Sequence, residues 1–132
     1  MKEVVIIRGV AGSGKSTFAS LLAQGHGGKI VEADKFAYND QGVYDWKFED
    51  LSSYHRKAMA EFDSHIENNE SMIIVSNVSA RWQDFKYYFN KAKESGYKVT
   101  TLVVENRNDT NSIHGVPDET LNNMREKFQI KL

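Results

Sequence analysis

Cysteine is absent from this 132-residue chain. That excludes disulfides and thiolate metal sites, and makes a reducing cytosol the natural setting. Long apolar runs are missing as well. No segment approaches the ~20 residues needed to cross a bilayer, so no membrane partner is expected. The N-terminal apolar stretch is bounded by Glu3 and Arg8, too brief for a signal peptide. Neither sign of charge dominates: Lys and Arg number 17 against 18 Asp and Glu, a formal net charge of −1, with a pI of about 6.4. The balance argues against a protein held on nucleic acid mainly by phosphate neutralisation, while leaving room for a local basic groove. Repeats, low-complexity tracts and linkers are lacking too. The expectation is one cytoplasmic domain, 1–132, with a core large enough to be stable.

What is present is a phosphate-binding loop. Gly9-Val10-Ala11-Gly12-Ser13-Gly14-Lys15-Ser16 fits G-x-x-x-x-G-K-[ST] at every position. The apolar run Val4-Val5-Ile6-Ile7 leads in and reads as a buried parallel strand. A helical stretch beginning at Thr17 and running to Gln24 leads out. The glycines let consecutive backbone N–H groups turn inward around phosphate oxygens, facing the positive end of the helix. Lys15 reaches the β- and γ-phosphates of a nucleoside triphosphate in such a loop, and the Ser16 hydroxyl takes a place on Mg²⁺. ATP and Mg²⁺ are the expected cofactors, and Gly9 to Thr17 the nucleotide-binding residues.

Three further strand patterns follow: Lys29-Ile30-Val31-Glu32-Ala33, Met72-Ile73-Ile74-Val75 and Val99-Thr100-Thr101-Leu102-Val103-Val104. The last two read as strands covered on both faces. Gly25, Gly27 and Gly28 cluster where the first helix must stop. Leu51, Tyr54, Ala58, Phe62 and Ile66 recur at helical spacing, with Glu49 and Asp50 at the positive end. Trp82, Phe85, Phe89 and Ala92 repeat the pattern, with Ser79 as the expected N-cap and Gly96 after the helix. The one proline, Pro117, opens a last helix expected to bury Leu121, Met124 and Phe128. Strand and helix alternate throughout, so the pattern predicts an α/β fold, a parallel sheet with helices on both faces.

Ligands in such sheets sit at the carboxyl ends of the strands. The second strand pattern ends at Asp34, whose carboxylate is suited to take the proton of an attacking hydroxyl, though a helix cap or turn former is an even alternative. The third ends at Ser76-Asn77, where many P-loop proteins carry a metal-linked Asp. Asn77 is able to bond a metal-bound water but supplies no charge. The polar segment at 105–117 fits a lid. In it, Arg107 is the natural cation for the transferring phosphoryl group, with an ordinary solvated Arg as the alternative. His114 is a candidate phosphate or acceptor contact, though a histidine satisfied within the lid is favoured. Phe36, Tyr38, Tyr44, Trp46 and Phe48 surround an Asn/Asp/Gly turn, and anchoring that loop is favoured over stacking on bases. An Asn-Lys-x-Asp guanine-reading motif is lacking.

These residues give the chain a resemblance to the polynucleotide 5′-hydroxyl kinase family of P-loop phosphotransferases. The likeness rests on Gly9 to Ser16, on Ala33-Asp34-Lys35-Phe36 with Gly42-Val43-Tyr44, on the Trp82 helix, and on Arg107-Asn108 with Ile113-His114-Gly115-Val116-Pro117 and Met124. It implies a three-layer P-loop NTPase fold of about four strands in the order 2-3-1-4. It also implies transfer of the ATP γ-phosphate to a nucleic acid 5′ end. Asp34 would be the general base, Lys15 and Ser16 the ATP and Mg²⁺ contacts, and Arg107 a lid arginine. Departures stand at Lys35, where the family usually has a second acid, and at Ala37, where an Arg is common. Asn77-Val78-Ser79 replaces an Asp-Thr-Asn, and Asn111 replaces a second lid Arg. The acceptor side is therefore read through Lys35, Tyr38, Asn77 and His114. Two alternatives stay open: a kinase for a small hydroxyl acceptor, such as a nucleoside, sugar or antibiotic, and an ATP-binding regulatory module with weakened turnover. Oligomeric state has no signal.

Overall fold

The apolar runs become four short strands. In the computed structural model, which describes residues 1–105 and 118–130, these are β1 (Glu3–Arg8), β2 (Lys29–Val31), β3 (Met72–Asn77) and β4 (Lys98–Val103). All pairings are parallel, in the order β2-β3-β1-β4, as expected. β1 lies inside the sheet, with Val4 opposite both Ile73 and Val99 and Ile6 opposite both Val75 and Thr101. The helices are α1 (Lys15–His26), α2 (Leu51–Glu67), α3 (Trp82–Glu94) and α4 (Asp118–Glu126).

Successive strand side chains point to opposite faces, so β1 and β3 feed two cores. Val4, Ile6, Ile73 and Val75 meet Tyr54, Ala58 and Phe62 of α2 and Phe85, Tyr88 and Ala92 of α3. Phe62 sets its ring edge-on to Tyr88, with centroids 5.1 Å apart. On the opposite face Val5, Ile7, Met72 and Ile74 pack with Ala19 and Leu22 of α1. Helices on both faces cover the inner strands. At the end of α1, Gly28 packs so closely that an added Cβ would lie 2.9 Å from Ile74 Cδ1.

Four expectations need correction. β2 stops at Val31, and Asp34 sits in a 3₁₀ turn over Ala33–Ala37. The ladder ends there because the Ala33 N–H donates to Asn77 Oδ1 at 2.9 Å instead of to a neighbouring strand. β4 is an edge strand that pairs only with β1 among the described residues; Thr100 and Thr101 are exposed, and Val99 and Leu102 half-buried. It is not covered on both faces, which explains its threonines. Ser79 is not the N-cap of α3. Arg8 draws in the carbonyls of Ser79 and Ala80, and the helix starts two residues later, where Asp84 Oδ2 accepts from the Arg81 N–H at 3.0 Å. Phe128 lies beyond the end of α4, half-buried and stacked on Arg8. Leu121 and Met124 have side chains outside the described set. Glu49 and Asp50 do sit at the start of α2, and Gly96 does follow α3.

Candidate active site

The phosphate loop connects the carboxyl end of β1 to the first turn of α1. Its closure is backbone chemistry: Gly9 N–H donates to Val78 O at 3.1 Å, and Ser13 N–H to Val10 O at 3.1 Å. A Cβ at Gly9 would lie 2.5 Å from Ser13 Oγ and 2.7 Å from Val104 O, so glycine is required there by close approach. Gly14 caps α1 with φ 97°, a left-handed conformation that L side chains resist. It has no side chain to cap the N–H groups of the first turn. The Ser13 hydroxyl is buried without a hydrogen-bond partner among the described residues.

Lys15 lies over this loop, its ammonium donating to Val10 O at 3.0 Å. Burial pushes its pKa down, while the carboxylates of Asp34 and Glu32 push it back up. The loop lysine and the proposed base therefore share one electrostatic environment. Asp34 is exposed at the site surface, in a turn pinned to the end of β3 by the Asn77 amide. Strand order explains the meeting: β1, carrying the loop, and β2, carrying Asp34, flank β3 and end on the same edge.

Other expected residues are engaged elsewhere. Asn77 spends its side-chain oxygen on Ala33 and so holds the Asp34 turn. Lys35 Nζ pairs with Glu61 Oε1 of α2 at 2.6 Å and sits 5.5 Å from the Phe36 ring centroid. Arg107 and His114, with the lid as a whole from residue 106 on, lie outside the described residues. The aromatic loop divides its labour. Phe36 and Tyr44 pack against the core, as anchoring requires, whereas Tyr38, Trp46 and Phe48 are exposed. Tyr38 bridges antiparallel to Tyr44, their rings edge-on at 5.4 Å. Below this hairpin is a cavity of about 290 Å³ between Tyr38, Lys47, Tyr54 and Lys57.

Two residues escaped the sequence reading. Glu32 follows β2 directly, and its Oε1 accepts from the Ser16 hydroxyl at 3.1 Å. Its signal was a carboxylate two positions before Asp34. Arg8, the last residue of β1, is buried yet faces no carboxylate at bonding distance among the described residues. It donates through Nε to Ser79 O at 2.8 Å and through Nη2 to Ala80 O and Gln129 O. The guanidinium lies between the rings of Phe85, at 4.5 Å, and Phe128, at 5.1 Å. Burial pushes its pKa down, with Asp84 opposing. A charge on an otherwise apolar strand was the available clue.

The chain superposes with a TM-score of 0.66 on Kti12 of Chaetomium thermophilum in complex with ADP-AlF3, covering 96% of this chain and 80% of that one at 11% identity. On a chain of the Pnkp1/Rnl/Hen1 complex the TM-score is 0.65, covering 92% and 38% at 18% identity. The fold is a P-loop NTPase fold. No family model matches the chain. Among curated proteins it is similar to NEDD4-binding protein 2 of Homo sapiens, 29% identical over 139 aligned residues. The match takes in 96% of this chain but spans only 8% of that protein's length. Among the described residues no helix is long and apolar enough to cross a membrane.

Proposed function

We propose that this chain is a phosphotransferase that moves the γ-phosphate of ATP, as its Mg²⁺ complex, to a hydroxyl, the 5′-hydroxyl of a polynucleotide being the preferred acceptor. One observation carries the reading: a closed phosphate loop with Lys15 lying over it and the Asp34 turn stand at the same carboxyl edge of the sheet, on either side of the end of β3. The ADP-AlF3 bound by Kti12 supports the donor, as a property of that protein; the acceptor class rests on the sequence resemblance.

Lys15 and the inward N–H groups of the loop hold the triphosphate and stabilise charge that builds on the transferring group. Ser16 and its surroundings supply hard oxygen donors, which fit Mg²⁺. Mg²⁺ held there would neutralise charge on the triphosphate. Asp34 accepts the proton of the attacking hydroxyl as the new O–P bond forms. The bond from the γ-phosphorus to the bridging oxygen breaks, and its electron pair leaves on ADP. Asp34 then releases its proton to solvent. Arg107 is assigned to the transferring phosphoryl from its place in the sequence, with His114 beside the acceptor.

The test is labelling of a 5′-hydroxyl oligonucleotide from γ-labelled ATP, run beside a panel of small alcohols. Lys15→Ala is expected to abolish ATP binding and labelling together. Asp34→Asn is expected to keep ATP affinity and lose about 10²–10⁴-fold in rate, the usual contribution of a general base. Full activity in D34N removes the proposed base; labelling of an alcohol but of no oligonucleotide moves the acceptor to small molecules. The capture of Lys35 by Glu61 favours a second reading, since no second acid serves the acceptor there. On that reading the domain binds ATP as a regulatory module, gains thermal stability with ATP, and labels nothing.

A further inference from the structure

Phosphate-bound Mg²⁺ is ordinarily fixed by the loop hydroxyl, substrate oxygens, waters and one or two carboxylates. The end of β3 offers no carboxylate: Ser76 carries a buried hydroxyl, and Asn77 is uncharged and already holds the Ala33 N–H. The neighbouring strand supplies the missing charge. Val31 pairs with Val75 and points fully buried into the core under α2 and α3. Glu32 keeps extended backbone, φ −135° and ψ 128°, so its side chain turns to the opposite face, where α1 packs. There it meets Ser16 Oγ at 3.1 Å and adds to the field on Lys15.

The geometry points to Glu32 as the metal-side carboxylate of this site: Glu32 and Ser16 hold the water-shelled divalent cation of the ATP complex, and Asp34 is left to the acceptor. The assignment rests on the ATP-binding reading above. Glu32 and Asp34 are two residues apart, separated by Ala33, whose N–H is anchored to Asn77, so one short turn serves both sides of the transferring phosphoryl. Hydroxyl and carboxylate oxygens suit Mg²⁺ or Mn²⁺ over softer ions. Among the described residues no group of three or more His, Cys, Asp or Glu is able to hold a metal by itself. The site therefore binds the cation only with the nucleotide in place.

Isothermal titration with ATP in chelator and with Mn²⁺–ATP, alongside Mn²⁺ paramagnetic resonance, tests the assignment without relying on turnover. Wild-type protein is expected to bind Mn²⁺ only in the presence of ATP, and to bind Mn²⁺–ATP more tightly than free ATP. Glu32→Gln retains an acceptor for Ser16. It is expected to leave free-ATP affinity within about twofold and to weaken Mn²⁺ binding to the ATP complex about 10–100-fold. Glu32→Asp, shorter but still charged, is expected to fall between. Wild-type Mn²⁺ affinity in E32Q overturns the assignment, as does equal loss of free-ATP and Mn²⁺–ATP affinity. Equal affinity of the wild type for free ATP and Mn²⁺–ATP overturns it while the donor reading stands. No ATP binding under any condition overturns both.

Discussion

At the scale of single residues, charge and burial decide who does what. Lys15 is kept near the loop by one carbonyl and two carboxylate fields, whereas Lys35 is bound to Glu61 and Asn77 to a backbone N–H. A side chain so committed has lost the freedom that its residue type implies. Two tyrosines of α3 carry a measurable consequence. Burial, with Asp63 accepting from its hydroxyl at 2.7 and 2.8 Å, pushes Tyr87 up to about 12; burial pushes Tyr88 up to about 12 as well. Both folded-state values exceed the unfolded value, so the native chain holds more protons at alkaline pH. Their contribution to stability is intact below about pH 10, the free phenol value, and fades as pH rises through about 12. Ultraviolet titration should show late-ionising phenols, Tyr87 and Tyr88 the latest, with Tyr44 and Tyr97 also raised. Tyr87→Phe should remove one and reduce the stability lost between pH 9 and 11 in urea unfolding, values chosen to bracket the free phenol pKa of about 10.

At the scale of elements, the sheet and α2 are the sturdy parts. The α2 stripe Tyr54, Ala58, Phe62 and Ile66 is buried as its spacing demands, and Phe62 has no exposed surface. Phe62→Ala empties ring volume against Tyr88 and is expected to cost about 3–5 kcal/mol in denaturant unfolding. The 3₁₀ turn over Ala33–Ala37 buries Ala33 and Ala37 in the core but takes its shape from polar links, chiefly Asn77 to Ala33 and Lys35 to Glu61. Apolar periodicity reveals a strand or a helix, because burial repeats with the backbone. It has nothing to report about a turn made by one side-chain amide, which is why β2 reads two residues too long.

At the scale of the molecule, Arg8 joins three segments: the end of β1, the connection from β3 to α3, and the chain after α4. Its planar guanidinium donates in different directions while its faces meet two rings, a combination that an ammonium does not reproduce. Arg8→Lys is expected to lower stability by about 2–4 kcal/mol in urea unfolding, from carbonyls left unpaired and lost ring contact. Much of the plan was legible in the chain itself. The phosphate loop, the alternation of strand and helix and the α2 stripe are local patterns, and local patterns arise from backbone geometry and burial over a few neighbouring residues. The α3 stripe holds at Phe85 and Ala92, but Trp82 is exposed and Tyr88 is buried instead. The sheet order agreed with the order implied by the resemblance. Tertiary structure alone decided that Ser79 serves Arg8 and not α3, that Lys35 and Asn77 are occupied, and that Glu32 stands against Ser16. Those outcomes depend on side chains 16 to 121 positions apart being brought within hydrogen-bond reach, and sequence spacing carries no record of such distances.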